Sequence, residues 1–250
     1  MKLSVCINSV TGNMPRTEAM RLSKKLGYSA VEFWEGKDCP VADFGAILKE
    51  AGLDVACMGF ATGLVDPAIR ADFLAELKAS LANAKVLGAK CIIAATGQEL
   101  TDVSRAVQHE SIVEGLKEAA KIMEGTGVIL VLEPLNILIN HKGYYLDKSD
   151  EAFEIVRKVG SPSIKVLFDI YHQQISEGNL IANITENIDL IGHFHIAGNP
   201  GRNEPYLGEI NYPEIFKAIE KAGYAGYVGL EYWSQGDMEE SLVRCLEMFG

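Results

Sequence analysis

The stretch KKLGYSAVEFW, Lys24–Trp34, returns near the far end of the chain as EKAGYAGYVGLEYW, Glu220–Trp233. Each copy starts as the end of a helix, passes a glycine suited to a left-handed C-cap, and runs into an apolar strand that carries one glutamate. Helix, turn and strand in that order, written twice, are two copies of one βα module. The second copy differs by a turn that is a few residues longer.

The same alternation fills the chain between them. Short runs rich in Val, Ile and Leu predict strands at Leu3–Asn8, Ala30–Trp34, Asp54–Gly59, Cys91–Ala95, Val128–Glu133, Ile164–Asp169, Ile191–Ile196 and Tyr227–Glu231. Helical periodicity occupies the intervals, as in RTEAMRLSKKLG, VADFGAILKEAG and DVSRAVQHESIVEGLKEAAKIMEGTG. Pro15, Pro67 and Pro213 fall where a first helical turn tolerates a missing N–H. Strands that are apolar throughout, rather than alternating, belong to a parallel sheet covered by helices. Eight such units predict closure into a single (β/α)₈ barrel spanning residues 1–250. An open dinucleotide-binding sheet would place G-x-G-x-x-G after the first strand, and this chain has NSVTGNM there.

Composition narrows the partners. Asp and Glu exceed Lys and Arg by 34 to 23, a net charge of -11, so attraction to phosphate backbones or anionic membranes is not expected. Five scattered cysteines, with no C-x-x-C pair, read as reduced core residues. No segment has the length or pattern of a signal peptide or a membrane span, and the cytoplasm is the expected location. A homo-oligomer, dimer or tetramer, is a further expectation, with the number of subunits left open by the sequence.

A parallel barrel brings the carboxyl ends of its strands to one rim, where active sites form. The last four strands deliver Glu133 in VLEPLN, Asp169 in LFDIYH, His195 in HFHIAG and Glu231 in GLEYW. A lone carboxylate at a strand end is usually a helix cap or a solvated charge. Four ligand-type groups in succession would repel one another unless a divalent cation joined them. Mixed oxygen and nitrogen donors suit manganese first, with magnesium, cobalt or zinc as alternatives. His193 shares the face of His195 by period-two alternation and should lie one layer deeper. His172, three residues past Asp169, can face the same cavity and meet a substrate hydroxyl. Arg202, on a Gly- and Pro-punctuated loop, can hold a carboxylate or polyol with its fork or pair with Glu204 or Glu209. Glu32 is the counterpart of Glu231 in the repeated module and is expected slightly below the rim. Lys90 and Lys165 stand at strand beginnings, the wrong end for Schiff-base chemistry.

At VLEPLN, FDIYH, HFHIAGNPGRNEP, GEINYPEIF and GYVGLEYW the chain resembles the hydroxypyruvate isomerase family of the xylose isomerase-like TIM-barrel superfamily. The resemblance implies a metal-dependent isomerase of a small hydroxy-carbonyl compound, either hydroxypyruvate/tartronate semialdehyde-like or a short sugar. Glu133, Asp169, His195 and Glu231 would bind the metal. Glu133 and Glu231 would also move the proton through a cis-enediolate, with His172 and Arg202 binding substrate. Ketose 3-epimerases of the superfamily, the second reading, carry a further glutamate six residues after the strand-five ligand, where this chain has Ile139. Endonuclease IV-like repair enzymes need extra histidines on the third and fourth strands, which here read CMGF and AATG. A barrel that only binds a ligand is the remaining alternative.

Overall fold

The computed structural model describes residues 1–249 and forms a closed parallel barrel with strand order β1 to β8. The strands are Lys2–Cys6 (β1), Ala30–Phe33 (β2), Asp54–Thr62 (β3), Cys91–Ala95 (β4), Ile129–Leu132 (β5), Ile164–Asp169 (β6), Ile191–Ile196 (β7) and Tyr227–Leu230 (β8). The helices are Ile7–Val10 (α1), Arg16–Lys25 (α2), Val41–Ala51 (α3), Arg70–Leu87 (α4), Arg105–Met123 (α5), Ser149–Val159 (α6), Ile170–Ser176 (α7), Leu180–Glu186 (α8), Tyr212–Lys221 (α9) and Met238–Phe249 (α10). All eight expected strands are present.

Helix α6 shows how the sequence writes this pattern. Asp150 and Glu151 in its first turn and Arg157 and Lys158 in its last suit the helix dipole, and Gly160 closes it at φ 68°. Ala152, Phe153, Ile155 and Val156 are buried on one face, toward β6. Phe153 stacks on Phe168, which meets Phe194 edge-on at 6.2 Å between ring centres. Truncating such a buried ring to alanine costs about 3–5 kcal/mol.

Strands β2, β5 and β8 end one residue earlier than expected, and larger departures at β1 and β3 shape the rim. The chain leaves β1 at Cys6, and Ile7–Val10 turns into a short helix, so Asn8 lies outside the strand. The third strand runs on to Thr62 and bulges between Met58 and Phe60. Gly59 adopts φ +67° there, and a Cβ would stand 2.8 Å from the Gly36 backbone, so only glycine fits. The bulge turns the half-buried Phe60 toward the barrel mouth.

Candidate active site

Asp169 ends β6 and also begins α7. Its Oδ1 accepts from the backbone N–H of Tyr171 at 2.8 Å and of His172 at 3.2 Å, a helix N-cap. The cap fixes the carboxylate and leaves Oδ2 turned to the rim. Glu133 follows β5 directly; its N–H donates to Ala94 O at 3.1 Å, and the Tyr144 hydroxyl donates to its carbonyl at 3.1 Å. Glu231 follows β8 in the same way, its N–H donating to Ile196 O at 3.1 Å. His195 projects from β7, opposite Asp169 and Gly229 in the neighbouring strands.

The four expected ligands therefore meet. Glu133, Asp169, His195 and Glu231 are all buried and offer donor atoms within 4.8 Å of one another, a group that could hold a metal ion. His195 Nδ1 lies 3.2 Å from Glu231 Oε2 and 3.8 Å from Glu133 Oε1. It is buried, and among the described residues no partner is aligned to hydrogen-bond it. A buried lone nitrogen facing three carboxylates is the arrangement a cation resolves, and the donor set of three oxygens and one nitrogen suits a first-row or magnesium-type ion.

The charges are uneven. Burial lifts Glu133 to about 7, reinforced by Glu231 and Asp169 against the pull of His195. Burial also raises Asp169, partly offset by Arg202. Burial opposes charge on Glu231 too, but His195 and Arg202 outweigh it and hold the carboxylate well below its usual range. His195 is pushed well above the ordinary imidazole range because Glu231, Glu133 and Glu32 overcome its desolvation.

Arg202 is drawn into this cluster rather than pairing with Glu204 or Glu209. Its Nη2 donates to Asp169 Oδ2 at 3.2 Å and to Glu231 Oε2, and its guanidinium sits 5.0 Å from the Trp233 ring and 5.4 Å from that of Tyr171. Its backbone takes φ +57°, a left-handed conformation that costs a non-glycine residue about 1–2 kcal/mol. His172 is fully buried; Nδ1 meets the Asn136 side-chain amide at 2.6 Å, and Nε2 lies 3.5 Å from Asp169 Oδ2. Burial and Arg202 depress His172 well below its usual range, so it is neutral.

Glu133, His172, Arg202 and Glu231 open into a cavity of about 270 Å³ whose remaining walls are Trp34, Phe60, Leu135, His141 and Trp233. None of these five wall residues is singled out as a site residue by the sequence, although Trp34 and Phe60 fall at the carboxyl ends of the expected second and third strands, in stretches expected to line part of the pocket. Trp34 Nε1 donates to Glu231 Oε1 at 3.0 Å, and His141 packs edge-on against His172 at 5.2 Å. The doubled tryptophan of the repeated module was the available signal, since Trp34 and Trp233 both follow its glutamates. Ile139 is 70% exposed and is not among the residues lining the cavity.

The fold and rim together define a barrel of the sugar isomerase type, and the chain matches the xylose isomerase-like TIM barrel family over residues 20–248. Within that family, it belongs with the hydroxypyruvate isomerases. It is 30% identical over 251 residues to hydroxypyruvate isomerase of Escherichia coli, covering 97% of each chain. It is 35% identical over 215 residues to 2-oxo-tetronate isomerase of Cupriavidus necator, covering 82% of each. A solved structure of similar shape, titled AP endonuclease, family 2 from Brucella melitensis, superposes with a TM-score of 0.93 at 27% identity, covering 99% of each chain.

Proposed function

We propose that this protein is a divalent-metal-dependent isomerase of a small hydroxy-carbonyl acid, of the hydroxypyruvate or 2-oxo-tetronate kind. The observation that carries this reading is the convergence of Glu133, Asp169, His195 and Glu231 around the unpartnered His195 Nδ1. The names of the two isomerase relatives support it. Those four residues would hold the ion, with manganese preferred. Bound there, the ion would polarise the substrate carbonyl and acidify the neighbouring C–H.

The protein's own groups supply the rest. Glu133 and Glu231 follow β5 and β8, far apart around the barrel wall yet meeting in one cluster, so they can reach a flat substrate from two sides. One glutamate removes the proton from the hydroxyl-bearing carbon to give an enediolate, the hydroxyl proton passes to the former carbonyl oxygen, the other glutamate delivers a proton to that carbon, and exchange with solvent resets the two glutamates. The neutral His172 is placed to donate a hydrogen bond to a substrate oxygen. Arg202, stacked between Tyr171 and Trp233, presents the cation that a carboxylate would meet.

The small substrate is the expected partner, rather than nucleic acid or membrane. The Brucella neighbour, an AP endonuclease by name, raises DNA cleavage as a second reading. A net charge of -11 and an aromatic cavity of about 270 Å³ favour a small anion held by Arg202 over a phosphodiester backbone. No helix among the described residues is long and apolar enough to cross a membrane. The test is solvent-deuterium exchange into hydroxypyruvate, tartronate semialdehyde and 2-oxo-tetronate with added Mn²⁺. Exchange into at least one is expected; none, with metal bound, would leave a binding module.

A further inference from the structure

Glu32 is 2% exposed and reaches across the lumen from β2 to β7. Its Oε1 accepts from the Ser4 hydroxyl and meets His193 Nε2 at 3.0 Å, while its Oε2 meets His195 Nε2 at 2.9 Å. The rings of His193 and His195 pack edge-on, 5.1 Å apart. The lumen is cleared for this meeting. Gly229 pairs with His195 in the β7–β8 register, and a Cβ on it would collide with Glu32 Oε1 and stand 2.7 Å from His195 Cδ2. Gly229 is not in the left-handed region, so space rather than backbone conformation calls for glycine there.

We propose that Glu32, braced by Ser4 and His193, is a positioning residue that turns Nδ1 of His195 to the cleft as its ion-binding nitrogen. This rests on the reading of the rim as a metal centre. A carboxylate can only accept hydrogen bonds, so His195 Nε2 must carry the proton it shares with Glu32. The lone pair that can meet an ion is then on Nδ1, the atom that faces Glu133 and Glu231. Ser4 and His193 hold the other carboxylate oxygen, so Glu32 cannot swing away from His195. Glu32 touches neither the ion nor the substrate in this scheme.

The experiment pairs Mn²⁺ titration with ¹⁵N spectra of the Mg²⁺-loaded protein. In the wild type, His195 should show Nε2 bonded to hydrogen and Nδ1 bearing the metal-bound shift; the reverse assignment overturns the proposal. Glu32→Gln, whose amide can turn its NH₂ toward His195, should bind Mn²⁺ roughly 10–100-fold more weakly while keeping the wild-type unfolding temperature. Gly229→Ala should weaken binding in the same direction by displacing the pair. A folded Glu32→Gln that binds within twofold of wild type would sink the positioning role alone. A wild type that takes up no ion would remove the metal-centre reading and this inference with it. Should both variants fail to fold, the wild-type spectrum decides.

Discussion

The barrel holds two layers of histidine and carboxylate, one above the other, sharing His195. The lower layer is Glu32 with His193, Ser4 and His195 Nε2; both Glu32 oxygens, Ser4 Oγ, His193 Nε2 and His195 Nε2 have hydrogen-bond partners, and the residues are closed off from solvent. The upper layer is Glu133, Asp169, Glu231 and His195 Nδ1; it crowds three carboxylates, leaves Nδ1 unpartnered and opens to the cavity. In the lower layer the imidazoles outweigh burial and hold Glu32 at about 2, whereas in the upper layer burial wins at Glu133 and raises it to about 7. Similar residue types thus give structure where their charges balance and a site where they do not.

The largest test of that contrast removes charge from the upper layer. Glu133→Gln and Glu231→Gln should each lower kcat by about 10³-fold or more, the scale of a lost acid–base group combined with a lost ligand. Steady-state kinetics at saturating Mn²⁺ check this. A near-normal rate in either variant would mean the imbalance of the upper layer has no catalytic use.

The contrast also has a pH signature. Without the ion, Glu133 near 7 and the raised His195 both hold protons that a cation must displace. A group with a raised folded pKa is protonated below that value, so lowering the pH works against loading. Mn²⁺ affinity should therefore climb with pH, and most steeply below about 7, where Glu133 as well as His195 gives up a proton. Calorimetric titration between pH about 6 and about 8, in buffers of different ionisation enthalpy, measures both the slope and the released protons. A flat profile would contradict the protonation pattern of the upper layer.

How much of this was legible in the sequence follows the same division. The strand ends, read as apolar runs closed by Glu133, Asp169, His195 and Glu231, located the upper layer, because a parallel barrel sends every strand end to one rim. Positions β4, β6 and β7 agree with the structure residue for residue. The lower layer was half legible: alternation placed His193 beneath His195, but its partner Glu32 comes from 161 residues away and is chosen by the empty space at Gly229. Of the aromatic cavity walls, Trp34 and Trp233 were written in the repeat, whereas Phe60 is turned inward by a β3 bulge that no periodicity announces. Arg202 was found on its loop, but its pairing with Asp169 and Glu231 depends on a left-handed backbone that the sequence hides.

Arg202 sharpens the comparison, since its guanidinium brings a permanent cation to the upper layer. Arg202→Lys keeps the charge but loses the planar fork and the stacking on Tyr171 and Trp233. KM for a carboxylate substrate should rise about tenfold with a smaller change in kcat, the pattern of lost uniform binding. An unchanged KM would confine Arg202 to balancing Asp169 and Glu231.

The smallest effect tests whether the aromatic wall contributes more than shape. Trp34 stands where the first copy of the repeated module ends, and its Nε1–H reaches the glutamate of the second copy at 3.0 Å. Trp34 is itself 36% exposed, so solvent weakens this bond and limits its worth to about 1 kcal/mol. Trp34→Phe keeps an aromatic face and deletes only the donor. It should lower kcat about three- to tenfold while leaving Mn²⁺ affinity within about twofold, because Glu231 keeps Arg202 and His195 beside its other oxygen. A larger fall in metal affinity than in kcat would show that Trp34 orients Glu231 for the ion rather than for the proton, and would move the indole from the cavity wall into the charge balance of the upper layer.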